Sequence, residues 1–352
     1  MKYLLYGANG YTAQLIIKES LKAGLQPVLA GRTEAKMKKV AEEFKLDYLV
    51  FGLDDVQKVV GHLQNFDVCI NAAGPFSKTA KSMIEACIAS NTHYLDITGE
   101  IGVFELAKSY DKKALAAGVT LIPGVGFDVV PSDCLANYLS AKMPDATNLE
   151  LAFTSIGGAL SHGTASTMTE NLGEASAARV DGKIQKVALG HLSKKIDFGE
   201  VKHYAMTIPW GDVSTAYSST KIPNIVVYTG VPKSTINLMK FQGLLNPILK
   251  TKFVKKMAQR WIDKNLYGPS EAQNAKAKSF LWGEVTNKNN EKITALLQCK
   301  EGYLLTALAS VNICQKVLAK NFKAGYQTPA AAYGHDLILE IEGSAFTDVP
   351  SV

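Results

Sequence analysis

The residues with the clearest chemical meaning form a glycine turn after a short run of apolar and aromatic residues, Tyr3–Tyr6. The turn reads GANGYTA. Gly7 permits a tight turn, Gly10 lets phosphate oxygens approach the backbone, and Ala13 is small enough for a helix to pack on the strand. The amides and the positive dipole end of that helix attract an anion. The pattern predicts a dinucleotide diphosphate held by Gly7, Ala8, Asn9, Gly10, Tyr11, Thr12 and Ala13.

A second cofactor signal follows the next predicted strand, Pro27–Ala30, where the chain reads Gly31, Arg32 and Thr33. Enzymes that prefer NAD usually place Asp or Glu here to bind the ribose hydroxyls. A carboxylate would repel a 2′-phosphate, whereas a guanidinium can bind two of its oxygens. The three residues therefore predict a preference for NADP(H) over NAD(H). The alternative, in which Arg32 only faces water, stays open.

The elements that must position these residues alternate along the first ~125 residues, as expected for βαβ units. Six strands are predicted with crossover helices between them, which gives an α/β fold: an N-terminal Rossmann doubly wound parallel sheet. Beyond Pro131 the predicted strands cluster, with hairpin signals at Asp181-Gly182 and at residues 287–291. This change indicates a second α+β domain with a mostly antiparallel sheet.

The predicted domain boundaries follow from that change. Residues 1–130 form the NAD(P)-binding domain, and residues 131–321 form an α+β domain for substrate binding and dimerisation. The C-terminal tail, residues 322–352, is expected to pack back on the first domain.

In a doubly wound sheet, ligands bind beyond the carboxyl ends of the strands. The fourth predicted strand ends in NAAGPF, whose small residues would let ribose and nicotinamide lie against the backbone. A simple turn is the alternative. The residues assigned to this contact are Asn71, Ala72, Ala73, Gly74 and Pro75.

Three side chains are candidates for catalytic proton transfer. Glu100 and Asp128 follow the fifth and sixth predicted strands, and His162 lies in SHGTAST. A carboxylate or an imidazole in a cleft could move a proton. Each residue also has a structural alternative, because carboxylates at such turns commonly cap helices and an isolated histidine is often part of the protein interior.

Composition limits the other classes of function. No apolar run approaches the ~20 residues of a membrane span, and the N-terminus lacks a signal-peptide pattern. Five scattered cysteines without a C-x-x-C pair indicate reduced thiols and a cytoplasmic location. The dispersed histidines predict no metal site. The net charge of +6 comes largely from scattered lysines, so no nucleic-acid partner is expected.

One basic stretch, residues 250–264, sets Lys250, Lys252, Lys255, Lys256 and Arg260 among Phe253, Met257 and Trp261. A basic amphipathic helix can lie on an anionic membrane. More often its lysines simply face water in an ordinary domain helix. Peripheral membrane contact is therefore kept as an alternative.

Many segments together carry a family resemblance. GANGYTA, AGRT, NAAGPF, YLDITGE and PGVGFDVVPSD are followed by SHGTAST, IPWGDVSTAY, IPNIVVY, FLWGEV, EGYLLTALAS and GYQTPAAAYG. This pattern resembles the saccharopine dehydrogenase-like oxidoreductases, in the branch with the trans-acting enoyl reductases and the mammalian saccharopine dehydrogenase-like oxidoreductase. The resemblance implies a Rossmann domain for NAD(P) and an α/β second domain. It also places Gly7, Gly10, Ala13, Arg32 and residues 71–75 at the family's cofactor positions.

We therefore expect an NADP(H)-preferring oxidoreductase that acts on an activated double bond, enoyl or imine. By analogy with the enoyl-reductase relatives, its small-molecule substrate would be hydrophobic or acyl-linked. One alternative is an amino-acid-type dehydrogenase acting on an imine of an amine and a 2-oxo acid. The other is a non-catalytic NADP(H)-binding or membrane-associated protein. A homodimer formed through the sheet of the second domain is compatible with this expected function and with both alternatives.

Overall fold

The computed structural model of the protein describes residues 2–158, 161–239, 241–266 and 268–350. The chain divides into two compact units. The first contains Met1–Val130 and Tyr303–Tyr333, and the second contains Pro131–Gly302 and Gly334–Val352.

The strands are numbered in chain order. They are β1 Tyr3–Tyr6, β2 Val28–Gly31, β3 Tyr48–Val50, β4 Val68–Asn71, β5 His93–Asp96, β6 Thr120–Ile122, β7 Ala146–Ile156, β8 Ser176–Val180, β9 Lys183–Val187, β10 Ser193–Asp197, β11 Lys202–Thr207, β12 Asn224–Val231, β13 Lys278–Asn287, β14 Lys292–Lys300, β15 Gly325–Tyr326 and β16 Ala345–Val349.

The helices are numbered in the same way. They are α1 Tyr11–Lys22, α2 Glu34–Phe44, α3 Val56–Leu63, α4 Phe76–Ala89, α5 Ile101–Ser109, α6 Asp111–Ala117, α7 Val130–Lys142, α8 His162–Glu170, α9 Asp212–Thr220, α10 Lys233–Met239, α11 Gln242–Leu249, α12 Lys252–Asn265, α13 Glu271–Lys276, α14 Gly302–Leu318 and α15 Pro329–Tyr333, with a 3₁₀ helix at His335–Glu340.

The first unit is built on a parallel sheet of strand order β15-β6-β5-β4-β1-β2-β3. The part from β3 to β6 has the order 3-2-1-4-5-6 of dinucleotide-binding sheets, with the topological switch point between β1 and β4. Both of these strands are buried along their whole length, as expected for a sheet covered on two faces. The predicted doubly wound parallel sheet is confirmed.

The helices of this unit form where the sequence favours them. In α1 the buried residues Ala13, Ile16, Ile17 and Ser20 recur at helical spacing and cover the sheet. Helices α5 and α6 follow one another directly and are separated by a turn at Tyr110.

The second unit contains a mixed sheet of order β10-β11-β12-β7-β13-β14-β16, with β8 pairing with β12 and β9. Only the β12–β7 pair is parallel among these, so the predicted mostly antiparallel sheet is confirmed. The turns between β8 and β9 and between β13 and β14 lie at the two predicted hairpins.

The units differ from the expected division in two places. Helix α14 was expected in the second domain, but residues 303–318 belong to the first unit. The tail was expected on the first domain as a whole. Its first part does pair there, through β15 and β6, whereas β16 pairs with β14 of the second unit. Residues 351 and 352 of the predicted tail lie outside the described residues.

Three further features of the described residues concern membrane spans, metal sites and cysteines. None of their helices has both the length and the hydropathy needed to cross a bilayer. Among the same residues, no group of three or more His, Cys, Asp or Glu side chains could hold a metal ion. All five cysteines are buried and unpaired.

Candidate functional site

The glycine turn follows β1 directly and is fixed by backbone hydrogen bonds. The amides of Gly7 and Ala8 both donate to the Ala30 carbonyl of β2, at 2.8 and 3.2 Å, and the Gly10 amide donates to the Gly7 carbonyl at 2.9 Å. Gly7 has a φ of +82°, in the left-handed region that glycine adopts without strain. The turn therefore requires glycine at position 7.

Helix α1 begins at this turn without a side-chain cap. Its N-cap is Gly10, and no acidic residue lies in its first turn. The first intrahelical amide bond runs from Gln14 to the Gly10 carbonyl, so the amides of the first turn point out of the helix end. A helix N-terminus of this kind suits a diphosphate, since amides and the helix dipole both favour negative charge.

The segment after β4 touches this turn at the switch point. A Cβ added to Gly7 would lie 2.8 Å from the Ala73 nitrogen, and the Ala72 amide donates to the Tyr6 carbonyl at 2.8 Å. A side chain at position 7 would therefore clash with the backbone of Ala73. Ala72, Ala73 and Pro75 are half-buried and Gly74 is exposed, so this segment offers a small, smooth surface beside the turn.

Asn71 shapes that segment from inside. Its side chain is fully buried, donates to Thr79 Oγ1 and to the Tyr94 hydroxyl, and accepts from the Ala73 amide at 3.1 Å. The structure thus gives the Asn71 side chain an internal role, and the surface that a cofactor could contact belongs to the next four residues.

The end of β2 carries the second predicted cluster. Gly31 is buried, while Arg32 and Thr33 are exposed. Thr33 is the N-cap of α2, but its side chain makes no capping hydrogen bond. Burial raises the pKa of Tyr6 to about 12, and the positive charge of Arg32 partly opposes this rise. Within the described residues, Arg32 makes no hydrogen bond or ion pair.

A buried polar network joins the ends of β4, β5 and β6. Asp96 is fully buried and accepts from the Tyr94 hydroxyl at 2.6 Å, from the Thr98 amide at 3.0 Å and from the Gly124 amide at 2.9 Å. Burial raises its pKa to about 6, against the opposing effect of these hydrogen bonds. Tyr94 also accepts from Asn71, so the network reaches the loop beside the glycine turn.

Glu100, one of the three candidates for proton transfer, contacts the end of a helix in this structure. Its two carboxylate oxygens accept from the backbone amides of Phe76 and Ser77, at 2.8 and 3.0 Å, at the N-terminus of α4. A carboxylate there satisfies amides that lack intrahelical partners and interacts favourably with the helix dipole. Glu100 thus fixes the end of the Asn71–Pro75 segment, which is the capping alternative weighed for this residue.

Asp128 lies in the turn between β6 and α7 and is in a different situation. Burial raises the pKa of its carboxyl to about 7. It has no hydrogen-bond or ion-pair partner among the described residues and is half-buried rather than enclosed. A Cβ added to Gly99 would lie 2.5 Å from Asp128 Oδ2, so the loop after β5 makes room for this carboxyl by having glycine there. Asp128 is therefore a carboxyl at a strand end that can exchange protons near neutral pH.

Helix α14 supports both the glycine turn and the Asp128 turn. The ring of Tyr303 packs edge-on against that of Tyr11, with centroids 5.2 Å apart. One turn later Thr306 Oγ1 accepts from the Phe127 amide at 3.0 Å, and Ser310 donates to the Val125 carbonyl. Sequence reasoning missed these contributions. The available signal was a Thr-Ser pair at i, i+4 among the apolar residues of the first three turns of α14.

His162 lies in the second unit, on the first turn of α8. Its Nε2 is 2.8 Å from Asp263 Oδ1 of α12, and both side chains are about half exposed. The pair joins two helices of its own unit. The structure thus brings Asp128 and the predicted cofactor residues together in the first unit, and it places His162 in the other.

The comparison with protein families follows this geometry. Residues 3–122 match the family described as the saccharopine dehydrogenase NADP binding domain. The first unit carries a saccharopine dehydrogenase NADP-binding domain. Its matched range ends with β6 and contains the glycine turn, the Arg32 segment, residues 71–75 and the Asp96 network. The predicted resemblance is confirmed, and a nicotinamide cofactor is the ligand class of this NADP-binding domain.

Similar proteins extend the match. A saccharopine dehydrogenase-like oxidoreductase of Homo sapiens is 28% identical over 163 residues, covering 40% of this chain and 37% of its own. A protein of Mycobacterium tuberculosis named as a trans-acting enoyl reductase is 30% identical over 189 residues, 49% of this chain and 44% of its own. A lipid droplet localized protein of Caenorhabditis elegans is 23% identical over 257 residues, 68% of this chain and 58% of its own. The chain thus spans less than two thirds of the length of these relatives.

Among solved structures, the saccharopine dehydrogenase (L-Glu forming) of Saccharomyces cerevisiae matches with a TM-score of 0.66 and 12% identity. The match covers 99% of this chain and 100% of that one. At this identity it shows that the two proteins share a fold.

Replacing Tyr94 by Phe tests the buried network beneath the NADP-binding domain's loops. The change leaves an Asp96 oxygen and the Asn71 amide without this partner in the interior, so we expect the free energy of unfolding to fall by about 1–3 kcal/mol. Tyr110→Phe is the matched control, because that hydroxyl bonds to Glu85 near the surface and its loss should cost less than about 1 kcal/mol. Chemical denaturation measures both, and equal losses would contradict a special role for Tyr94.

Replacing Glu100 by Gln tests the capping role. The amide oxygen can still accept one of the two backbone bonds, but the charge at the helix end is lost, so stability should fall by about 0.5–2 kcal/mol. If Glu100 only caps α4, the pH dependence of turnover should keep its wild-type shape. If the variant has normal stability but its turnover loses the acidic or the alkaline part of that pH dependence, Glu100 would take part in proton transfer.

Proposed function

We propose that the protein is an NADP(H)-preferring oxidoreductase that transfers a hydride to or from an activated double bond, enoyl or imine, of a hydrophobic or acyl-linked substrate. The observation that carries this proposal is Asp128, a carboxyl that has no partner among the described residues and lies on the same edge of the sheet as the glycine turn. The bound nicotinamide supplies or accepts the hydride.

Reduction of a double bond needs a hydride at one atom and a proton at the other. Asp128 would donate that proton, because its pKa of about 7 keeps a large share of the carboxyl protonated near neutral pH. In the reverse direction the carboxylate would accept the proton. Tyr11 and Tyr303 give the neighbouring wall an aromatic surface, which suits an apolar ligand.

The preference for NADP(H) rests on Arg32 and Thr33. An exposed guanidinium that has no ion pair with any described residue is free to bind a 2′-phosphate with two hydrogen bonds. The family description, which names NADP, is consistent with this preference.

The proposed substrate class is based on the names of two similar proteins. One is named as an enoyl reductase and another as a lipid droplet localized protein, and both names suit a lipid-like molecule. The amino-acid-type alternative needs cations that bind carboxylates. Arg179, one of two arginines in the second unit, already donates to the Val213 and Gly182 carbonyls. A cytoplasmic location and a homodimer remain part of the proposal.

Arg32→Asp tests the cofactor preference. We expect the affinity for NADPH to fall about 10- to 100-fold, from the loss of a charge-assisted pair, while the affinity for NADH changes less than about three-fold. Lys39→Asp is the control, since it makes the same charge change on the exposed surface of α2. Fluorescence titration with both cofactors measures the effect, and equal losses for NADPH and NADH would contradict a phosphate-binding Arg32.

Asp128→Asn tests the proton donor. The turnover of reduction should fall about 10²–10⁴-fold with the affinity for NADPH unchanged, and the wild-type rate should decline as the pH rises above about 7. A raised carboxyl pKa also means that stability is lost as the pH rises from about 4 to about 7. Asn avoids this loss, so the variant should be more stable than wild type by about 1–3 kcal/mol at about pH 8, with little difference at about pH 4.

Two results would count against Asp128. An Asn variant with normal turnover would remove it from the reaction. A variant that is inactive and also less stable than wild type at alkaline pH would assign the residue a structural role. If NADPH binds tightly but no enoyl or imine substrate turns over, the non-catalytic alternative gains.

A further inference from the structure

The outward face of α12 carries two parallel rows of side chains at i, i+4 spacing. One row is apolar, with Phe253, Met257 and Trp261 exposing 76%, 57% and 60% of their surfaces. The adjacent row is cationic and consists of Lys252, Lys256 and Arg260. Residues four apart on a helix lie one above the other, so the rows run side by side along the helix. We call these six residues the α12 face.

The opposite side of the helix accounts for its packing within the second unit. Ile262 is buried, Gln259 donates to Ser166 of α8 at 2.9 Å, and Lys255 donates to the Glu170 carbonyl at 2.6 Å. Together with the His162–Asp263 pair, these contacts fix the rotation of α12 on α8. The exposed aromatic residues are therefore held outward by specific contacts on the other side of the helix.

The cations of the α12 face differ from the other lysines nearby. Lys250 and Lys255 both lie 3.5 Å from Glu174. Lys252, Lys256 and Arg260 have no hydrogen bond or ion pair among the residues the structure describes. They leave a concentrated positive charge beside exposed aromatic and aliphatic carbon.

Neighbouring helices add to the apolar surface. Phe241 at the start of α11 and Ile248 within it expose 58% and 59% of their surfaces. Single exposed apolar residues are common on proteins, but several large ones on consecutive helices indicate a surface that contacts something.

We propose that the α12 face docks the protein on an anionic phospholipid surface. Phe253, Met257 and Trp261 would enter the boundary between headgroups and acyl chains, and the cationic row would bind lipid phosphates with its aliphatic stems along the apolar region. A nucleic acid would use the cations but not the aliphatic Met257 and Ile248. A second copy of this chain would bring the two cationic rows into repulsion unless it shifted.

Vesicle flotation of the full chain tests the proposal, with phosphatidylcholine vesicles compared with phosphatidylcholine–phosphatidylserine vesicles. We expect binding to the anionic vesicles to exceed binding to the neutral ones by at least about ten-fold at low salt and to weaken as salt rises. The variant Lys252→Gln, Lys256→Gln, Arg260→Gln should lose about ten-fold or more of that binding. The control is Lys183→Gln, Lys186→Gln, Lys195→Gln, which removes the same charge from exposed positions of the same unit and should bind like wild type.

A second measurement reports insertion directly. Trp261 emission should shift to shorter wavelength when anionic vesicles are added, and the shift should disappear in Trp261→Phe. Phe253→Ala, Met257→Ala, Trp261→Ala should also lose vesicle binding with an unchanged melting temperature, because these side chains are exposed.

Three outcomes would overturn the proposal. The first is no binding of wild type to anionic vesicles at low salt. The second is an equal loss in the α12 variant and in the lysine control. The third is a wild-type dimer that the triple alanine variant converts to a monomer without any vesicle binding, which would assign the face to self-association. NADPH titration is unaffected by any of these results, so failure here is distinct from failure of the proposed oxidoreductase function.

Discussion

The site depends on one desolvated carboxylate. Asp96 is buried at the end of β5, where ionisation away from water is costly, and its pKa accordingly lies at about 6. It is stabilised there because a tyrosine hydroxyl and two loop amides donate to it. The amides belong to the segments that follow β5 and β6, so one side chain sets the spacing of two loops. Tyr94 extends the same network to Asn71 and thereby to the segment that touches the glycine turn.

Two helix N-termini at this edge of the sheet differ in what binds their free backbone amides. The N-terminus of α4 receives a carboxylate from the protein itself, since Glu100 binds the amides of Phe76 and Ser77. The N-terminus of α1 begins at Gly10 and receives neither a capping side chain nor an acid in its first turn. Exposed amides of this kind are ordinarily satisfied by a cap, by water or by a ligand. The N-terminus of α1 is therefore available to an external anion, as the glycine pattern also predicts.

The sequence was sufficient for features that follow from local pattern. Strands β1 to β6 and helices α1 to α4 lie where apolar spacing and turn residues predicted them, because each element is encoded within its own residues. The sequence was a weaker guide to which elements pack against one another. The predicted boundary after residue 321 placed α14 in the second domain, because helical periodicity does not reveal which sheet a helix covers. For Glu100 the sequence left two roles open, because a carboxylate after a strand can cap a helix or move a proton. The capping contact depends on the position of the Phe76 and Ser77 amides, which its own residues do not specify. The short strand β16 pairs with β14 more than forty residues earlier, a partner that its own residues do not specify.

Asp128 departs from the rule that the rest of the site follows. Asp96, Asn71 and Glu100 all have their polar atoms satisfied by the protein, whereas the Asp128 carboxyl is partly desolvated and has no partner in the part of the chain that the structure describes. Such a group destabilises the fold when it is ionised. The surrounding residues nevertheless hold it in this partly desolvated position. Gly99 leaves room for the carboxyl, and Thr306 holds its turn through the Phe127 amide. A protein that needed only a stable turn could place an amide or a hydroxyl there at lower cost. A carboxyl with a raised pKa in a supported position is consistent with the proton transfer proposed for Asp128.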